Sequence, residues 1–429
     1  MRIAMLSVHT CPLATLGGKD TGGMNVYVRE LARELGRRGL AVDVFTRSQD
    51  PHIPRVRWFG ENARVIHVPA GPEMPLGKNT LWRYLPDFAR QVRRIAEEEH
   101  LHYDLLHSHY WLSALVARLL RQDGWDIPIV HMFHTLGAAK EALGRRQGYR
   151  EDRRRLQAEG EIVHLVDAIV AATPLEREQL VSYYRAPEER IHVIPPGVNL
   201  ERFRPIPKVE ARAHVGTPCE PCEEAHMLLY VGRMDPLKGV DDLLRAMAYV
   251  VQDLPEDWDC RTCLALVGGD AESSDEALRR EMDRLERLKD ELGLRPLATF
   301  LGRRDQDELP YYYSAADICI VPSHYESFGL VALEALACGT PVVASRVGGL
   351  TYIVEDGVTG FLVPQGDPRA LASRISQLLQ DCSLRRRMGL RGIEVARKFS
   401  WPQIAGQILA LYEMLLGKAG HRPANDAQR

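Results

Sequence analysis

The sequence has no apolar run of the roughly 18 residues that a membrane-crossing helix requires. Its first residues, MRIAMLSVHT, lack the basic stretch and long apolar core of a secretory leader and read as a β-strand. A spanning or exported protein is therefore not expected. Charge imbalance is equally scarce. The 429 residues carry a net charge of −3, with a slight positive excess in the first 200 and a slight negative one in the rest. That is too little for a partner such as nucleic acid or a strongly anionic membrane. Without a leader, the eight cysteines point to a reducing, cytoplasmic setting rather than a disulfide framework.

What is present is alternation. RIAMLSV, AVDVFTR, ARVIHVP, DLLHSHY, PIVHMFH, AIVAAT and IHVIPP read as strands. Between them lie helical patterns such as NVYVRELARELGRRG, DFARQVRRIAEEEH and LSALVARLLRQDG. Val- and Ile-rich strands alternating with helices indicate a parallel sheet buried on both faces. The pattern then restarts with MLLYVGR, CLALVGG, LATFLGR, ICIVPS, PVVASR and GFLVP. The expected fold is α/β, with two Rossmann-like domains. Residues 1–202 form the first, 203–225 a proline-containing linker, 226–400 the second, and 417–429 a frayed tail. In such sheets ligands bind at the carboxyl ends of strands.

Three stretches carry chemistry. GGKDTGGMN stands between a strand and a helix, where Gly22 and Gly23 allow a ligand to approach the backbone. VGRMDPLKGV puts Arg233 and Lys238 just past a strand, a pairing suited to a diphosphate. On its own it also fits two solvated surface charges. SHYESFGLVALEALACGTPVV carries Glu326 and Glu334 in otherwise apolar surroundings. Buried carboxylates need partners, and none stands nearby in sequence, so a ligand is the expected partner. Glu334 lies roughly 10 Å down the helix from Glu326. Two carboxylates so spaced suit a ligand with hydroxyls at both ends and a phosphate over the helix start near Phe328, Gly329 and Leu330. A nucleotide sugar has that form.

Together, Arg233 and Lys238 after "VG" and the two glutamates of ESFGLVALEALACGTPVVA resemble the retaining glycosyltransferases of family 4. The resemblance covers nearly the whole chain. It implies the GT-B architecture: two Rossmann-like domains facing across a cleft, with a last helix at about 401–416 crossing back to the first. It implies a nucleoside-diphosphate-sugar donor, UDP-linked, and catalysis without metal. Arg233 and Lys238 would stabilise the leaving diphosphate, with Gly23 against it. Glu326 and His134 would contact the donor sugar, Glu334 the ribose, and Gly302 and Arg303 the base. Asp305 and Asp307 imitate a metal-binding DxD but suit a helix start instead.

DTGGMNVYV, HSHYWLSA and HTLGAAK further resemble the family's branch that acts on inositol phosphate. That likeness implies an acceptor-phosphate pocket of Asn25, Lys78, Tyr110, Thr135 and Arg155, with His9 and Asp20 on the acceptor hydroxyls. Arg155 stands in GRRQGYREDRRR, which alone reads as a solvated helix face. LGKNTLWRYLPDF and RLQAE are instead similar to the sucrose-phosphate synthase branch, whose acceptor is fructose 6-phosphate. Met24 and Thr135 favour inositol phosphate. A catalytically silent nucleotide-sugar-binding protein would be expected to have lost Arg233, Lys238 or Glu326, and all three are present.

Two C-x-x-C motifs stand outside the family pattern: Cys219 with Cys222, and Cys260 with Cys263. Each precedes a strand, and consecutive parallel strands are usually neighbours. A structural zinc held by the four thiolates, with His226 in reserve, is expected; disulfides within or between the pairs, or four unrelated thiols, are the alternatives.

Overall fold

The computed structural model describes residues 1–15, 21–144, 149–216, 225–253, 262–269 and 276–419. The chain forms two compact units. The first comprises Met1–Ala14, Gly23–Pro196 and Trp401–Arg429; the second comprises Thr15–Gly22 and Gly197–Ser400.

The first unit is built on eight strands: β1 (Arg2–Leu6), β2 (Ala41–Arg47), β3 (Val56–Gly60), β4 (Ala63–Val68), β5 (Leu105–His109), β6 (Ile129–Met132), β7 (Ala168–Ala171) and β8 (Ile191–Val193). Their order across the sheet is β3-β4-β2-β1-β5-β6-β7-β8. Seven are parallel and correspond to the seven strands read from the sequence. β3 is the addition, an antiparallel edge on β4. Its residues VRWFG are exposed or half-exposed, so it lacks the apolar run that marks its neighbours.

Strands β5 and β6 are buried along their whole length, although β5 reads Leu-Leu-His-Ser-His. Several of its polar atoms find partners inside the unit, while Nε2 of His107 and of His109 is buried without one. Ser108 Oγ lies 2.8 Å from His131 Nδ1. His107 Nδ1 lies 2.6 Å from the Tyr412 hydroxyl. Tyr412 belongs to the last helix, Trp401–Ala419, which packs in this unit. Trp401 meets the Tyr27 ring edge-on at 5.5 Å.

The second unit has a sheet of β9 (His226–Val231), β10 (Thr262–Val267), β11 (Ala298–Gly302), β12 (Ile318–Val321), β13 (Val342–Ser345) and β14 (Gly360–Val363). The order is β11-β10-β9-β12-β13-β14, parallel throughout. All six match strands read from the sequence. The segment expected to be a linker differs. Residues Lys208–Val215 form a helix, and Phe203 is buried. Lys208 and Arg212 both pair with the buried Asp317. Prolines gave the stretch a linker-like composition, but these pairs and the buried ring tie it into the second unit.

Each sheet has a point where the strand order reverses. In the first unit β1 lies between β2 and β5; in the second, β9 lies between β10 and β12. In open parallel sheets this reversal leaves a crevice at the carboxyl ends of the two strands, where ligands bind.

Candidate active site

In the second unit the reversal point carries the cations and glutamates singled out above. β9 runs into Gly232 and Arg233, and the chain then forms a single 3-10 turn, Pro236–Lys238. Asp235 caps that turn by accepting from the Leu237 amide at 2.9 Å. On the neighbouring strand β12, the chain leads through Ser323 to Glu326. Lys238 Nζ donates to Glu326 Oε2 at 2.6 Å. The backbone of Glu326 is fixed separately, its carbonyl accepting from Gly349 N at 3.0 Å.

Glycines end the strands on the other side. Gly232 follows β9, Gly268 follows β10 and Gly302 closes β11. Gly268 has φ +129°, and a Cβ there would lie 1.8 Å from Gly232 O. Only glycine permits this packing. The result is a rim of bare backbone at the strand ends, with Arg303 next in sequence. Gly329, at φ 107°, precedes the helix Leu330–Ala337. The first amides of that helix have no partner within it and favour an anion.

The expectation that Glu326 and Glu334 lack protein partners is corrected here. Glu326 has Lys238, and buried Glu334 accepts from the Tyr313 hydroxyl at 2.9 Å. Tyr313 lies 21 residues before Glu334 on the helix Leu309–Ala315. No local spacing signals the pair. Burial, then Glu334, pushes the Tyr313 hydroxyl well above its usual pKa, so it remains a donor. Asp307 pairs with Arg202 at 2.8 Å and is highly exposed.

In the first unit the reversal point gathers most of the expected acceptor residues around one ring. Tyr110 follows β5 and His134 closely follows β6, both with left-handed backbones at φ 72° and 61°. Such strain in non-glycine residues costs about 1–3 kcal/mol each and gathers at functional sites. The Tyr110 ring is 4.5 Å from the His9 ring. Lys78 Nζ lies 5.5 Å from its centroid and the Arg155 guanidinium 4.9 Å.

Arg155 is buried, not on a solvated face. Its Nε donates to Glu159 at 2.8 Å and its Nη1 to Glu151 at 2.9 Å. Nη2 donates to the carbonyl and hydroxyl oxygens of Thr135, at 2.6 and 2.9 Å. Glu151 and Glu159 stand four residues to either side of Arg155, a helical spacing that the sequence displays. Asn25 Nδ2 donates to Thr10 Oγ1 and Cys11 O, both at 2.7 Å, and so holds the loop after β1. A Cβ at Gly22 would meet nothing within 4 Å, which leaves room for a ligand at this turn. Asp20 lies outside the described residues.

His134 Nε2 lies 3.1 Å from His109 Nδ1, and its ring meets Tyr27 edge-on at 5.2 Å. Burial drives the pKa of His134 down to about 3. The imidazole is neutral at neutral pH and offers a hydrogen bond rather than a charge.

The four-thiolate zinc site is also corrected. β9 and β10 are neighbours, as the motif reading requires, with Cys263 opposite Met227. Cys263, however, is disulfide-bonded, and a sulfur so engaged is not a thiolate ligand. The bond also runs against the reducing setting inferred from composition. Cys219, Cys222 and Cys260 lie outside the described residues. His226 faces Asp317 at 3.7 Å. Among the described residues no group of three or more His, Cys, Asp or Glu could hold a metal ion.

Residues 21–202 match the family model for Glycosyltransferase Family 4, and residues 220–395 match that for glycosyl transferases group 1. A D-inositol 3-phosphate glycosyltransferase of Geodermatophilus obscurus is 44% identical over 96% of this chain and 89% of its own. Its counterpart in Saccharomonospora viridis is 42% identical over 96% of this chain and 93% of its own. The chain belongs to glycosyltransferase family 4. Among solved structures, a sucrose-phosphate synthase from Thermosynechococcus elongatus superposes with a TM-score of 0.86. It is 38% identical and covers 97% of this chain and 99% of its own. The two parallel-sheet units are those of the GT-B glycosyltransferases, and the protein is a glycosyltransferase. No described helix is long and apolar enough to cross a membrane.

Proposed function

We propose that this glycosyltransferase moves a sugar, with retention, from a nucleoside diphosphate to a small phosphorylated polyol of the inositol phosphate class. The observation that carries the donor side is Lys238 on Glu326 at 2.6 Å, next to Arg233 at the reversal point of the second sheet. Breaking the bond from the sugar's reacting carbon to the diphosphate oxygen builds negative charge on that oxygen. Arg233, Lys238 and the first amides of the helix Leu330–Ala337 receive it in fixed positions. When the diphosphate draws Lys238, Glu326 is released to accept from a sugar hydroxyl. Glu334, held by Tyr313, accepts from the ribose. The acceptor hydroxyl attacks on the face the diphosphate leaves and gives its proton to the departing oxygen.

On the acceptor side, Lys78 is the direct cation for the phosphate. Arg155, already held by two carboxylates, positions Thr135 and Tyr110. Met24, Thr135 and the identity to inositol-phosphate enzymes support inositol phosphate. The stretches LGKNTLWRYLPDF and RLQAE, with the 38% identical sucrose-phosphate synthase, favour fructose 6-phosphate as the second reading.

The deciding experiment measures nucleoside diphosphate release from UDP- and GDP-sugars with each acceptor in turn. Release stimulated by D-inositol 3-phosphate alone supports the first reading, and stimulation by fructose 6-phosphate alone replaces it with the second. Release with neither acceptor removes the acceptor class.

A further inference from the structure

The loops bearing Lys238 and Glu326 are joined directly through their backbones. The carbonyl of Leu237 accepts from His324 N at 2.8 Å. Gly239 has φ +68°, and a Cβ there would sit 2.1 Å from Pro322 O. Beside this contact stand the Lys238–Glu326 ion pair and a second side-chain pair to which the donor reading gives no role. His324 Nε2 lies 3.4 Å from Asp242 Oδ2, and their side chains are only 13% and 17% exposed.

Asp242 lies in the first turn of the helix Val240–Asp253, four residues beyond Lys238. The other ring nitrogen of His324, Nδ1, lies 3.4 Å from Gln365 Nε2, on the loop after β14. Gly366 covers the pair: a Cβ on it would be 3.8 Å from His324 Cε1 and 3.9 Å from Asp242 Oδ2. Three loops at the carboxyl edge of the sheet are thus tied at one imidazole.

We propose that His324, through Asp242, is a positioning residue that holds Lys238 in register with Glu326 and hence with the donor diphosphate. The inference rests on the donor reading given above. A lysine on a single 3-10 turn is placed only as well as that turn is. The backbone contact at Leu237 and Gly239 fixes the separation of the loops. The His324–Asp242 pair ties the loop leading to Glu326 to the helix that follows Lys238, and so resists sliding of one past the other. Half-buried Asp242 is pushed above the usual carboxylate range by desolvation first, while His324 pulls it back down. Asp241, Arg245 and Asp367 also face it.

The test uses the full chain with H324L, D242N, the double variant and H324Q, whose amide nitrogen can still reach Asp242. Three readouts are taken: kcat and donor KM with a UDP-sugar, UDP affinity by calorimetry, and the rate at which an amine-reactive acetylating reagent labels Lys238. H324L and D242N each lower kcat about tenfold with donor KM within about twofold, because misplacement acts on the transition state. The double variant is no worse than either single one, since both break the same pair. H324Q recovers most of the loss. Lys238 labels faster in H324L and D242N than in the wild type. If H324L does not fold, D242N and H324Q decide the matter. Wild-type kcat in D242N, losses that add in the double variant, or a change in KM alone overturns the proposal. A wild type that binds no UDP removes the donor reading instead, and the labelling rates still decide whether the clasp holds Lys238.

Discussion

The two reversal points are built from opposite materials. In the second unit β9, β10 and β11 end at glycines, and the charged side chains stand on short turns with moderate exposure. In the first unit the strand ends are a tyrosine and a histidine in strained backbone, packed among rings and buried ion pairs. Bare backbone receives any diphosphate whose oxygens it can approach, and it discriminates little among what is attached. Side chains locked by burial accept one shape. On the proposed reading, the contrast puts reaction chemistry and choice of acceptor in different parts of this chain, with different tolerance to change.

Acidification should separate the units most strongly. Burial holds His107 and His134 near pKa 3, and His9, His109 and His131 well below normal. From about pH 6.5 down towards 3 the unfolded chain takes protons that the folded first unit refuses. Each such histidine costs about 1.4 kcal/mol per pH unit over that window. Glu176, pushed up to about 7 by burial, works the other way and offsets one histidine between about 7 and 4.5. In the second unit, Asp317 is held below its usual range despite burial, by His226 and then Lys208. Its contribution is lost only below about pH 3.9. Calorimetry between pH 7.5 and 5 should show one transition falling steeply and another nearly still.

Next is Arg155→Ala, which strands Glu151 and Glu159 inside the first unit. Removing one partner of a buried pair costs about 3–5 kcal/mol, so urea unfolding should show a large loss of stability beside the activity loss. Comparable, Lys238→Ala and Glu326→Ala should raise the barrier by about 3–4 kcal/mol while circular dichroism and melting stay close to wild type. Near-normal turnover of both at saturating donor would sink the donor assignment. Smaller is Lys78→Ala, worth about 1.5–3 kcal/mol as a charged hydrogen bond. It should raise acceptor KM and spare donor KM, and removing the acceptor's phosphate should reproduce the effect in the wild type.

Thirteen of the fourteen strands were legible because a strand buried on both faces is written as a Val-, Ile- and Leu-rich run. β3 was not, since an exposed edge strand needs no such run. Arg233, Lys238 and Glu326 were legible because motif spacing tracks strand ends. Tyr313, His324 and Asp242 were not. Their partners lie 21 or 82 residues away, and only the sheet order brings them together. The arginine-rich neighbourhood of Arg155 alone suggested a solvated face, against the pocket that the resemblance implied; its ion pairs with Glu151, just before the helix Arg153–Leu165, and Glu159, within it, bury it instead. The paired C-x-x-C motifs read first as zinc ligands with disulfides as the rival, because motif spacing alone does not distinguish a metal ligand from an oxidised pair.

The hydrogen bond between His107 and Tyr412 spans 305 residues. A ribosome therefore finishes the whole second unit before it delivers the helix Trp401–Ala419 that completes the first. Domains ordinarily fold from the amino end as they emerge; here the first to emerge waits longest. A chain stopped at Ser400 leaves the first unit without Trp401 on Tyr27 and without a partner for His107. Completion of the first unit is thus a late event in synthesis, because it needs a segment made after the whole of the second.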